Sequence, residues 1–116
     1  MNIVIIEDEL LSAQDLSGCI CEFRKEFKVV KIISSVKEAI AFFKKENNSQ
    51  LVFSDIQLGD GLSFEIFKQV EVKAPVIFCT AYNSYAIEAF KANGIEYVLK
   101  PINKKHIHEA IEKFER

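Results

Sequence analysis

The chain has 116 residues, 49% hydrophobic and 28% charged, with a formal net charge of −2. That is the balance of one globular domain with a real core. It excludes the basic stripe of a direct nucleic-acid binder, and no apolar run approaches the roughly 20 residues of a membrane-spanning helix.

Asn2–Ile6 is a continuous apolar run, predicting a buried strand, and it stops at Glu7-Asp8-Glu9. The N-terminus has no basic region before this run and no cleavage site, so we expect a cytoplasmic protein. Leu10, Ala13, Leu16, Ile20, Phe23 and Phe27 follow at steps of three and four, predicting one face of a helix. Gly18 weakens that helix.

Val29–Ile33 predicts a second strand. Ser35 with Glu38 three residues on is a capping-box signature, and Val36, Ala39, Ile40 and Phe43 give the helix behind it. Leu51–Ser54 predicts a third strand that ends at Asp55, before a turn at Gly59-Asp60-Gly61. Ser63 and Phe64 open a third helix with Phe64, Phe67 and Val70 inward. Pro75 precedes a fourth strand, Val76–Cys79, ending at Thr80. Tyr85, Ala86, Ala89 and Phe90 mark a fourth helix, with Gly94 expected at its C′ position. Ile95–Leu99 predicts a fifth strand ending at Lys100-Pro101. Asn103 is the expected N-cap of a last helix with Ile107, Ala110, Ile111 and Phe114 inward.

Strand and helix therefore alternate five times in one domain, residues 1–116. The expected class is α/β: a doubly wound (βα)5 fold, flavodoxin-like, with five parallel strands in the order 2-1-3-4-5. The three cysteines match no zinc or redox spacing. Cys19 and Cys21 are two apart on a helix and point to different faces, while Cys79 lies in a strand. His106 and His108 are also two apart, the wrong spacing for a metal pair on one helix face.

The polar residues that end the strands are the informative ones. Glu7 and Asp8 end the first strand, Asp55 the third, Thr80 the fourth and Lys100 the fifth. A parallel sheet brings all of them to its carboxyl edge, where ligands bind. Taken singly, such an acid reads as a helix N-cap and such a lysine as solvated. Taken together, they predict a site. Three close carboxylates repel one another, and a hard divalent cation relieves that conflict. Mg²⁺ takes one or two carboxylates and fills the rest of its shell with water and phosphate. Lys100 can counter phosphate charge, Thr80 can hydrogen-bond a phosphoryl oxygen, and Asp55 is free to act as a nucleophile.

On Glu7-Asp8, on Asp55 after Leu-Val-Phe-Ser, on Thr80-Ala81 and on Lys100-Pro101, the whole chain resembles the receiver domain of bacterial two-component response regulators. The stretches Phe78–Tyr82, Tyr85-Ala86, Ala89-Phe90 and Tyr97–Pro101 resemble the branch that precedes a LytTR-type DNA-binding domain. The resemblance implies that Asp55 is the phospho-acceptor and Asp8 the direct Mg²⁺ ligand, with Glu7 beside it in place of the Asp of many members. It implies that the backbone carbonyl of Gln57 completes the metal site. Thr80 and Tyr97 become switch residues, and Lys100 the phosphate-contacting lysine. It implies a phospho-accepting signalling domain rather than a turnover enzyme, with self-catalysed phosphorylation and slow autodephosphorylation.

The implied partners are a sensor histidine kinase, a second copy of the chain through the fourth helix, fifth strand and fifth helix, and DNA only through an output domain that lies outside these residues. The alternative is a stand-alone receiver acting through protein contacts. Two other classes fit less well. A flavin-binding protein needs a phosphate-cradling loop after the first strand, where this chain has Glu7-Asp8-Glu9. An Asp-nucleophile phosphatase has a second Asp two residues on, where this chain has Gln57.

Overall fold

The computed structural model describes every residue from Met1 to Arg116. The elements run β1 (Asn2–Ile6), α1 (Leu10–Phe23), β2 (Lys28–Ile33), α2 (Val36–Lys45), β3 (Leu51–Ser54), β4 (Gln57–Leu58), β5 (Gly61–Leu62), α3 (Phe64–Gln69), β6 (Val76–Thr80), α4 (Ala86–Lys91), β7 (Gly94–Leu99) and α5 (Lys104–Glu115). Five strands form one parallel sheet in the order β2-β1-β3-β6-β7. This is the expected 2-1-3-4-5 order, since β6 and β7 are the predicted fourth and fifth strands.

Both faces of the sheet are covered, and the core divides accordingly. On one side Ile3, Ile5, Phe53 and Ile77 meet Leu16 and Ile20 of α1 and Ile107 and Ile111 of α5. On the other, Val4, Ile6, Val52 and Phe78 meet Phe43 of α2, Phe64 of α3 and Ala89 of α4. Alternate residues of one strand serve opposite faces, so a central strand must be apolar throughout. That is why β1, β3 and β6 read as unbroken apolar runs.

The helices depart from the sequence pattern at their ends. Leu10, expected on the inner face of α1, is 64% exposed, because the chain has only just left the sheet edge and has no layer above it. Phe27 is buried, but after the helix has ended. The cysteines divide as expected, Cys19 buried and Cys21 exposed. Ser35 caps α2 by accepting from the Glu38 N–H at 3.0 Å. Glu38 reaches back to the N–H of Ser34 at 2.9 Å rather than to the cap itself. In α3, Ile66 is fully buried while Phe67 is only partly so. The strands β4 and β5, a two-residue antiparallel hairpin, were not expected as strands.

α4 holds the largest correction. Gly94 is not its left-handed residue; Asn93 is, with φ 66°, and Asn93 also donates from Nδ2 to the Ala74 carbonyl at 3.2 Å. Gly94 instead starts β7 under α4, where an added Cβ would sit 2.5 Å from the Ala89 carbonyl oxygen and 3.0 Å from its carbon. Phe90, one of the residues that mark this helix in the sequence, is 64% exposed. Asn103 caps α5 as predicted, accepting from the Lys105 N–H at 2.8 Å. Gly94→Ala should therefore cost about 1–3 kcal/mol, since the neighbour it strikes is backbone and cannot yield cheaply. Urea unfolding checks this, and a variant as stable as the wild type would contradict the packing described.

Candidate functional site

Three sheet-like hydrogen bonds extend the ladder one residue past the strands and so place the polar side chains. The Glu7 N–H donates to the Ile33 carbonyl at 2.8 Å, Asp55 to Ile6 at 2.9 Å, and Lys100 to Thr80 at 2.8 Å. Each residue leaves the sheet only after its backbone has been fixed. Glu7, Asp8, Asp55 and Lys100 thereby converge at the carboxyl edge over β1, β3 and β7.

One carboxylate oxygen from each of Glu7, Asp8 and Asp55 lies within 4.8 Å of the others. Glu7 is buried, Asp55 half-buried and Asp8 exposed. Asp55 is held at both oxygens: Oδ1 accepts from the Ile56 N–H at 2.6 Å and Oδ2 from Lys100 Nζ at 2.9 Å. Lys100 Nζ also donates to Glu7 Oε1. One ammonium thus bridges two acids that would otherwise repel each other.

Burial pushes the Glu7 carboxyl up from its ordinary value, with Asp55 adding to the rise and the Lys100 hydrogen bond opposing it. Burial would pull Lys100 down, but its bonds to Glu7 and Asp55 outweigh that, and its proton is held more tightly than usual. The donor set is hard oxygen, one ammonium offsets part of its charge, and one acid, Asp8, faces solvent. It fits a small divalent cation that would add the missing positive charge.

The other predicted residues are arranged around this centre. Thr80 is fully buried, and its hydroxyl accepts from the Tyr82 N–H at 3.4 Å. Tyr97 is half-buried and joined not to the acids but to the segment after β6, its hydroxyl donating to the Tyr82 carbonyl. Gln57 opens the hairpin two residues after Asp55, and its side-chain amide donates to the Tyr85 hydroxyl at 3.1 Å. That contact went unread in the sequence. So did the tie made by Asp60, whose two carboxylate oxygens accept from the N–H groups of Val36 and Lys37 at 2.8 and 3.0 Å. The only sequence signal for it was an acid inside a Gly-flanked turn.

The response regulator receiver domain family matches residues 3–112. This chain belongs to that family. The receiver is 30% identical over 119 residues to the sensory transduction protein LytT of Bacillus anthracis, covering 100% of this chain and 48% of that protein. It is 32% identical over 123 residues to the sensory transduction protein LytR of Streptococcus mutans, covering 100% of this chain and 49% of that protein. The receiver thus spans about half the length of these two relatives. Among solved structures it is similar to the response regulatory domain of protein mrkE from Klebsiella pneumoniae, with a TM-score of 0.85 and 29% identity, covering 99% of this chain and 95% of that one. No helix of the receiver is long and apolar enough to cross a membrane.

The raised Glu7 carboxyl carries a stability consequence. A group whose folded value lies above its unfolded one stabilises the fold below the unfolded value, here 4.5. That contribution is lost as pH rises through the folded value. Without divalent cations, Glu7→Gln should therefore gain stability over the wild type as pH is raised from about 4 to 7. Urea titrations at the two pH values test the difference. A stability gap that does not change, or that changes in the opposite direction, would contradict it.

Proposed function

We propose that this receiver accepts a phosphoryl group on Asp55 from the phosphohistidine of a sensor kinase, and so controls a C-terminal output domain of LytTR type. The observation that carries the reading is the convergence of Glu7, Asp8, Asp55 and Lys100 from three different strands, with a single ammonium bridging two acids.

Asp8, Asp55 and the Gln57 backbone carbonyl would hold Mg²⁺, with Glu7 beside them. When bound, the ion screens the charge on the transferring phosphoryl group. The protein's own part is positional. The Ile56 N–H and Lys100 Nζ fix the Asp55 carboxylate before the donor arrives. An Asp55 oxygen forms a bond to phosphorus while the P–N bond of the phosphoimidazole breaks, and the electron pair stays on the imidazole nitrogen. Lys100, already charged, then faces a phosphoryl oxygen as well as the acids. The product is an acyl phosphate that persists and hydrolyses slowly, so the domain signals rather than turns over.

The new anion offers three acceptor oxygens, and the Thr80 hydroxyl is the donor proposed to move toward it. The Tyr82 N–H now bonded to that hydroxyl is then released, and Tyr97, which hangs on the same residue's carbonyl, turns with it. The responding surface is α4, β7 and α5. Ile87, Phe90 and Leu99 are its exposed apolar groups, whereas Ile107 of α5 is a core residue. A second copy of the chain is the proposed occupant of that surface. We place the protein in the cytoplasm, where a kinase would reach it, and assign DNA contact to the output domain alone.

Acetyl phosphate with Mg²⁺ should label the wild type, and intact mass should show one added phosphoryl group. Asp55→Asn should take no label while keeping the fold; label at undiminished stoichiometry would sink the assignment. Asp8→Ala should weaken Mg²⁺ binding by about tenfold or more, and Glu7→Gln far less. Thr80→Ala should still accept phosphate but lose the response. Under beryllofluoride its amide shifts near Tyr97 should stay where they began, and wild-type shift changes there would refute the coupling.

A further inference from the structure

The hairpin β4–β5 follows the acceptor directly, and its turn has two ends tied to two different places. Gly59 lies against the acid cluster: a Cβ built on it would sit 3.7 Å from Asp8 Oδ2. Asp60, the next residue, spans to the start of α2, where its two oxygens accept from the Val36 and Lys37 N–H groups at 2.8 and 3.0 Å. Gly61 makes that reach feasible with φ +143°, a conformation rarely open to other residues. The base of the hairpin is closed by the Ser63 N–H donating to the Ile56 carbonyl at 2.8 Å.

We propose that Asp60 is a positioning residue for the cation site: by clamping the hairpin turn to the α2 N-terminus it sets Gly59 against Asp8 and holds the Ile56–Gln57 backbone in place behind Asp55. This rests on the receiver reading above. The helix end suits the task. Its first N–H groups have no intrahelical partner and carry partial positive charge. The Asp60 carboxyl is accordingly held below its ordinary range, chiefly by the Val36 N–H and then by that of Lys37. α2 itself is anchored by Val36, Ala39 and Phe43 in the core, so it gives the turn a rigid post. Asp8 is exposed, and the packed turn beside it supplies a constraint that burial does not.

A built-in control exists. Ser35 caps the same helix end, accepting from Glu38 N–H at 3.0 Å, but its hydroxyl makes no hydrogen bond to the hairpin. Asp60→Ala and Ser35→Ala both remove a cap from α2; only the first frees the turn. Mg²⁺ affinity would be measured by titration of amide shifts in the full chain, at low salt and at about 1 M salt, where screening shortens to about 3 Å and the lost charge no longer acts at a distance. Asp60→Ala should weaken Mg²⁺ binding roughly tenfold at both salt concentrations, Asp60→Asn less, and Ser35→Ala not at all despite a comparable loss of unfolding midpoint. If Asp60→Ala binds within about twofold of wild type, if its defect vanishes in high salt, or if Ser35→Ala shows the same defect, the positioning role falls while the receiver reading stands. If the wild type itself fails to bind Mg²⁺, the receiver reading fails, and the positioning role with it.

Discussion

Like charge held at short range is the constraint around which this domain is built. Glu7, Asp8 and Asp55 bring three carboxylate oxygens within 4.8 Å of one another, and a fold has to work to keep them there. The ladder bonds from Glu7 to Ile33 and from Asp55 to Ile6 supply the force, since the acids cannot retreat without breaking the sheet edge. Lys100 makes the arrangement tolerable by bonding two of the three. The balance is incomplete, and burial still pushes Glu7 toward protonation. A site left short of positive charge, with one acid open to solvent, has the charge balance that the proposed cation would complete. Burying an ion pair is weak evidence for stability in itself; here it is better understood as the cost of keeping reactive groups preorganised.

The two faces of the sheet are not equally firm. α1 has fourteen residues and α5 twelve, and the pair is tied at its C-terminal ends by the Arg24–Glu115 bidentate bridge, with both nitrogen-to-oxygen distances at 2.9 Å. α4 has six residues and buries one of them, Ala89. A helix so short, with its only deep contact at a small side chain, has little apolar burial to resist a shift. Asp55 is bonded at both oxygens, while the helix after β6 is held by little burial. This distribution suits the proposed switch, which needs fixed chemistry beside a movable surface.

Most of the strand framework was legible in the sequence because central strands of a parallel sheet must be apolar on both faces, which leaves unbroken runs such as Ile3–Ile6 and Val76–Cys79. The acid cluster was legible for the same reason: where such a run stops at a charged residue, that residue is at the sheet edge. What escaped was decided by distant partners. Nothing local says that Asp60 will meet Val36 and Lys37, or that Gln57 will meet Tyr85, because those pairs are 24, 23 and 28 residues apart. Leu10 and Phe90 have the right spacing to face inward but lie where no layer covers them. Gly94 was assigned to the helix end because glycine suits a left-handed residue. Asn93 takes that conformation instead, helped by its bond to the Ala74 carbonyl, and the glycine is needed one step later for lack of a side chain.

The segment between β6 and α4 joins the rigid part to the loose one. Tyr82 donates its N–H to the Thr80 hydroxyl and accepts from the Tyr97 hydroxyl. Tyr85 accepts from the Gln57 amide and packs edge-on against both Tyr82 and Phe64. A stretch of four residues therefore touches Gln57 after Asp55, the Thr80 hydroxyl and Tyr97 of β7, immediately before the chain enters α4. Spatial adjacency alone does not make a pathway. Its physical content is that the Thr80 hydroxyl and the Tyr97 hydroxyl are bonded to the N–H and the carbonyl of one residue, Tyr82. In the switch proposed above, a Thr80 hydroxyl drawn toward a phosphoryl group at Asp55 would stretch its bond to the Tyr82 N–H. A change of partner there would reach the backbone that leads into α4, and Ala89 is the one residue that this helix buries to oppose it.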